Sequence, residues 1–195
     1  YFGDLLDEHR AKSADIGPTP SSARGATRDK TDLAYCRNSV ASLKAHDVSW
    51  FLYIGGNDTA ETVRLVSEEA AKQGYDLRSI HIPKTIDNDL MESDHAPGFP
   101  SAARFVAQAF MGADLDNRSL PGVYVAVVMG RNSGFLTAAA AAARTVEAEG
   151  PHLTYLPHPV FDAGTFSSHI KSVPTPLRAP PMAAADSHHD AARPP

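Results

Sequence analysis

Four short apolar runs recur between residues 49 and 156, and each stops at glycine or proline. They are Ser49–Ile54 before Gly55-Gly56, Ser79–Ile82 before Pro83, Val123–Met129 before Gly130, and His152–Leu156 before Pro157. Helical patterns lie before and between them. Leu33, Cys36, Val40 and Leu43 share one face over residues 32–45, as an amphipathic helix requires. Val63, Val66 and Ala70 do the same over 58–73, with Gly74 as the stop. Ser101 opens a helix carrying Phe105, Val106, Ala109 and Phe110, and an alanine-rich helix runs from Phe135 to about Glu149. A continuous apolar run such as Ser49–Ile54 suits a strand buried on both faces. The alternation of strand and helix predicts an α/β fold with a doubly wound, mainly parallel sheet.

Outside residues 31–162 the pattern weakens. Residues 1–30 read as a partial N-terminal segment, with a short polar helix over Gly3–Lys12 and loop chemistry at Gly17-Pro18-Thr19-Pro20-Ser21-Ser22. Residues 163–195 form a tail rich in Pro and Ala, with almost nothing to pack beyond Val173. It is expected to be disordered or foreign to the fold. At 195 residues the chain holds one domain with a core. The formal charge of −5 and the scattered basic residues argue against a nucleic-acid partner. No stretch is apolar for long enough to cross a bilayer. Cys36 is the single cysteine, so neither an internal disulfide nor a thiolate metal cage is available. A reducing cytoplasm is the expected location.

Ligands of open parallel sheets bind beyond the carboxyl ends of the strands. Three polar segments fall there. Gly55-Gly56-Asn57-Asp58-Thr59 follows the first strand and opens a helix. Glycine permits close approach of a ligand, and a helix start presents free N–H groups to an anion. The same segment reads equally as a tight turn with Asp58 or Thr59 as N-cap. Pro83-Lys84-Thr85-Ile86-Asp87-Asn88-Asp89 follows the second strand. It crowds Lys84, Asp87 and Asp89 onto one short loop, where a carboxylate can act as base while a cation balances developing negative charge. Met129-Gly130-Arg131-Asn132-Ser133-Gly134 follows the third strand. A guanidinium at this helix start can grip a phosphate at two points, and Ser133 reads as the helix cap. His81, inside a strand, reads as a packed or edge residue.

In this order and at these separations, the three segments resemble the phosphofructokinase family, over roughly Gly17 to Asp162. The resemblance implies a phosphofructokinase-like fold, here incomplete at both ends. It also implies phosphoryl transfer to the 1-hydroxyl of fructose 6-phosphate, with Mg2+ as cofactor. ATP-dependent members of the family usually carry glycine where this chain has Asp58 and Lys84. Aspartate and lysine there characterise the diphosphate-dependent type, so the expected donor is pyrophosphate. A carboxylate at Asp58 repels the α-phosphate of a nucleotide, and an ammonium at Lys84 stabilises the transferring phosphoryl.

The roles implied by the resemblance follow residue by residue. Asp87 is the general base and Lys84 assists it. Gly55, Gly56, Asp58, Thr59 and Arg24 bind or select the donor. Thr85, Asp89, Met129, Gly130 and Arg131 hold the sugar phosphate and the metal–phosphate group. Asn57 and Asp58 are the candidate metal ligands, although a neutral amide at Asn57 is a weaker ligand than the aspartate many relatives have. A homodimer or homotetramer is the expected assembly. The chain also departs from the family. Its first strand and glycine-rich phosphate loop should precede Tyr1, and the segment around Arg24 is short. His158 replaces a sugar-binding glutamate, and the second domain does not appear. ATP-dependent 6-phosphofructokinase, or a truncated relative that only binds sugar phosphate or assembles with a partner, are the alternative readings. Little or no turnover is expected of this segment by itself.

Overall fold

The structure, a computed structural model, describes residues 27, 29, 31–120, 122–146, 148–157 and 161–173, and the backbone of 181–185. The helix expected over residues 3–12, Arg24 and His158 lie outside the described residues.

Helix α1 (Leu33–Ala45) begins where Asp32 accepts a hydrogen bond from the Tyr35 backbone N–H at 2.7 Å. Strand β1 (Trp50–Gly55), helix α2 (Asn57–Lys72) and strand β2 (Arg78–Pro83) follow. β1 and β2 pair in parallel, with Phe51 opposite Ser79 and Gly55 opposite Pro83. Cys36, Val40 and Leu43 of α1 close a core with Val66 and Ala70 of α2 over one sheet face, against Phe51 and Tyr75. Leu33, expected on that face, lies outside it and is exposed.

The expectation that β1 is buried on both faces is corrected. Both helices cover the same side, so burial alternates along the strand, and Trp50, Leu52 and Ile54 stay 53–61% exposed.

The second half is built on helix α3 (Phe99–Asn117), strand β3 (Tyr124–Val128), helix α4 (Phe135–Ala142), strand β4 (Leu153–Tyr155), helix α5 (Ala163–Ser172) and strand β5 (Pro181–Ala185). Phe110, Val128, Leu136 and Ala140 form its core. Phe99 and Phe135 meet edge to face at 5.9 Å, tying the starts of α3 and α4 together.

Several boundaries move from their expected places. Helix α3 starts before Ser101, because Gly98 at φ 98° turns the chain and Pro100 suits the first turn. Phe105, expected to pack, faces solvent. Helix α4 stops at Ala142 instead of running to Glu149. There the Glu149 carboxylate takes the N–H groups of Thr145 and Val146 and the Thr145 hydroxyl, which offers the chain an alternative to another helical turn. The adjoining Gly150 N–H donates to buried Asp114 at 3.0 Å.

The expectation of a featureless tail from 163 is corrected over two stretches. Asp162 caps α5 by accepting from the Thr165 N–H. β5 lies between β3 and β4 and pairs in parallel with both. Its only proline stands at the first strand position, where proline is tolerated. All observed strand pairs are parallel, as the α/β expectation required, and among the described residues they form two sheets, β1–β2 and β3–β5–β4.

Candidate active site

The parallel register of β1 and β2 delivers their two following loops side by side. The Gly55 carbonyl, at the end of β1, accepts the Lys84 backbone N–H at 2.9 Å. The same oxygen meets the Nε2 of His81 at 2.8 Å. His81 therefore holds the start of the first loop against the start of the second, a role its in-strand position did not announce. Gly55 itself is required by packing. A Cβ there would stand 2.7 Å from the Cβ of Thr59. Helix α2 uses Gly56 as its N-cap, with no side-chain bond, so neither Asp58 nor Thr59 caps it as expected. Asp58 instead projects into solvent with its side chain 92% exposed.

Within the second loop, Thr85 is buried and its hydroxyl oxygen accepts the Asp87 N–H at 3.2 Å. That bond holds the turn that carries Asp87. Asn88, in the left-handed region at φ 57°, is buried between Asp87 and Asp89. Its amide donates to the Asp94 carbonyl at 3.1 Å and accepts the Ala96 N–H at 2.8 Å, which pins the descent to α3. Asp87 keeps only 14% of its side chain exposed. Lys84 is exposed and makes no ion pair among the described residues. Asp89 accepts a hydrogen bond from the Asn57 side-chain amide at 2.8 Å, a direct link between the first two loops.

The third loop joins them through side chains. Arg131 stands with Nη2 3.9 Å from Asp58 and Nε 3.9 Å from Asp87. At this separation and exposure, each ion pair contributes little to stability. Arg131 nevertheless holds φ 47°, a conformation that costs a non-glycine residue and that clusters at functional sites. Ser133 does not cap α4, because Gly134 occupies that position at φ 71° with no side-chain bond. The Ser133 hydroxyl lies 2.6 Å from the Asp87 carbonyl and 2.7 Å from the Gly130 carbonyl. Gly134 is packed so closely that a Cβ would stand 2.8 Å from Pro157, beyond β4. Met129 is exposed and Gly130 buried.

Asn57, Asp58, Asp87, Asp89 and Arg131 thus come together beyond the carboxyl ends of β1, β2 and β3. Gly55, Gly56, Thr59, Thr85 and Gly130 form the backbone beneath them. Sequence reasoning missed His81, Asn88 and the true partner of Ser133. Only the asparagine had a signal, its tolerance of left-handed backbone. Among the described residues no group of three His, Cys, Asp or Glu side chains is suited to hold a metal. A self-sufficient protein cage is therefore not built there. Mg2+ needs only one or two carboxylates when substrate phosphates and waters complete its shell, and the donor set of Asp58, Asp89 and the Asn57 carbonyl fits that mode. No helix among the described residues is long and apolar enough to cross a membrane.

The chain resembles known proteins over most of its length. Residues 6–177 match the phosphofructokinase family. A pyrophosphate–fructose 6-phosphate 1-phosphotransferase of Rhodospirillum rubrum is 56% identical over 191 residues, 98% of this chain and 47% of that protein. The enzyme of the same name from Xanthomonas campestris is 38% identical over 87% of this chain and 43% of its own length. Among solved structures, a pyrophosphate-dependent phosphofructokinase from Marinobacter aquaeolei superposes with a TM-score of 0.79 at 32% identity, over 95% of this chain and 47% of that one. The chain spans about half the length of the relatives it matches.

Proposed function

The chain belongs to the phosphofructokinase family, and from that premise we propose that it carries the donor and sugar-phosphate loops of a diphosphate-dependent 6-phosphofructokinase. The observation that carries this reading is Arg131 standing 3.9 Å from both Asp87 and Asp58, which joins a shielded carboxylate to a solvent-facing one across three strand-end loops. In the reaction, the 1-hydroxyl oxygen of fructose 6-phosphate attacks a phosphorus of pyrophosphate. The bridging P–O bond breaks, orthophosphate leaves, and fructose 1,6-bisphosphate forms, reversibly.

Asp87 takes the proton of the attacking hydroxyl. Thr85 fixes the backbone of Asp87 through the bond to its N–H. Lys84, exposed and outside any ion pair of the described residues, balances charge on the transferring and leaving groups. Met129, Gly130 and Arg131 hold the sugar phosphate. Gly55, Gly56 and Thr59 line the diphosphate, Arg24 contacts it, and Asp58 turns nucleotides away. Mg2+ bound by Asp58, Asp89 and the Asn57 carbonyl would neutralise phosphate charge. A homo-oligomer in the cytoplasm is the proposed setting, to be read by light scattering.

The test is orthophosphate release from pyrophosphate and fructose 6-phosphate, with this chain carried in a protein of its relatives' full length and ATP as the competing donor. Asp87→Asn is expected to lower turnover by about 10²–10⁴-fold. Asp58→Gly with Lys84→Gly is expected to abolish use of pyrophosphate. Undiminished turnover in the Asp87→Asn variant sinks the assignment of the base, and undiminished pyrophosphate use in the double variant sinks that of the donor.

A further inference from the structure

Two of the three loops are joined by a backbone hydrogen bond. The first and second meet through the Lys84 N–H on the Gly55 carbonyl, continuing the β1–β2 register. The third follows β3, which lies in a different ladder. It meets the second loop through one hydroxyl, that of Ser133, 2.6 Å from the carbonyl of Asp87 and 46 residues away in sequence.

We propose that Ser133 is a positioning residue, a latch that sets the distance between the peptide unit of Asp87 and the Gly130–Arg131 turn. This rests on the reading above, in which those two segments hold the base and the sugar phosphate. The chemistry of the latch is specific. A serine hydroxyl has one proton, and here it faces two carbonyls at nearly equal distance, Asp87 at 2.6 Å and Gly130 at 2.7 Å. Donating to one leaves it beside the other, so a small rotation about the Cβ–Oγ bond exchanges partners while the two loops stay together.

Other contacts hold the chain on both sides of the latch. The Asp87 N–H is held by Thr85, and the neighbouring Asn88 side chain is held by Asp94 and Ala96. On the other side, the Ser133 N–H donates to the Gly130 carbonyl at 2.9 Å, and Gly134 is wedged against Pro157. The hydroxyl therefore joins two rigid turns. The ion pair of Arg131 with Asp87, at 3.9 Å, is longer than either contact of the hydroxyl. Ser133 touches neither reacting atom; it acts through the geometry of Asp87 and Arg131.

The experiment compares Ser133→Ala and Ser133→Thr with the parent 195-residue chain, by two independent measurements. In amide hydrogen exchange, alanine is expected to speed exchange about tenfold at Asn88 and at Gly130–Gly134, leaving α1 and β1 unchanged. Threonine, which keeps the hydroxyl, retains the parental rates. In ligand titration followed by phosphorus NMR, alanine is expected to weaken fructose 6-phosphate about tenfold while leaving pyrophosphate within twofold, and threonine restores the sugar phosphate. A general loss of folding would weaken both ligands together. Exchange in both loops within twofold of the parent for alanine, or a threonine variant that behaves as alanine does, overturns the latch. If the parent binds neither ligand, the functional reading falls, and the exchange comparison still decides whether Ser133 joins the loops.

Discussion

The half of the molecule built on β1 and β2 and the half built on β3, β4 and β5 bring loops to the same place by different means. In the first, strand register does the work, since Gly55 opposite Pro83 makes the two loops neighbours as soon as the ladder forms. Its core is closed by two helices adjacent in sequence. In the second, the β3 ladder depends on a strand drawn from residues 181–185, and the loop after β3 reaches its neighbours through Ser133 and Arg131. Backbone pairing positions two-thirds of the site, and side-chain contacts position the rest. The third loop should therefore be the more easily displaced.

The most forceful way to break this comparison is Leu136→Ala. Leu136 is 2% exposed in the second core, and its truncation is expected to cost about 3 kcal/mol in urea unfolding. Amide exchange should rise at Gly130–Gly134 well before it rises at Gly55–Thr59. An equal rise in both loops would mean that the two halves open as one unit. Asp32→Ala is the counterpart in the first half. Losing the cap of α1 is expected to cost about 1 kcal/mol, seen as a lower urea midpoint, with exchange in the third loop unchanged.

Arg131→Gly sharpens the comparison from the other side. Left-handed backbone costs a non-glycine residue about 1–2 kcal/mol, more than the roughly 0.5–1 kcal/mol of chain entropy that glycine adds. The variant is expected to be slightly more stable, by about 0.5 kcal/mol, and to bind fructose 6-phosphate less tightly in the same titration. Lower stability would show that Arg131 holds the halves together and is not itself under strain.

The smallest effect is one of pH. Burial holds the His152 imidazole below its usual value of 6.5. The folded chain then refuses a proton that the unfolded chain accepts as pH falls below that value. Stability is full above about 6.5 and declines with acidification towards the lower folded pKa. His152→Gln should flatten that decline in thermal melts between pH 7 and 5, and the second half should lose exchange protection first. An unchanged slope would remove His152 as its cause.

Much of the fold was legible before any coordinates. The periods of residues 32–45 and 58–73 returned as α1 and α2 nearly intact, because neighbouring residues already encode one apolar face. The apolar runs returned as β1 to β4. What sequence could not supply was competition between distant partners. Helix α4 stops early because Glu149 captures N–H groups ahead of it. Pro181–Ala185 has no alternation and no β-branched residue, and only the ladder offered by β3 and β4 makes it a strand. In the site, local chemistry singled out Asp87, Lys84 and Arg131. It passed over His81, whose partner Gly55 is 26 residues away, and it misread Ser133 as a cap.

By itself, the sequence determined that glycine-bearing and charged segments follow the strands, since charge, glycine and apolar periodicity are local properties. Tertiary structure alone decided which of them meet. A hydroxyl 46 residues from its carbonyl, or a guanidinium between two carboxylates on separate loops, exists only once the two ladders are packed. Contacts at that separation depend on the whole chain's packing, and no local pattern encodes them.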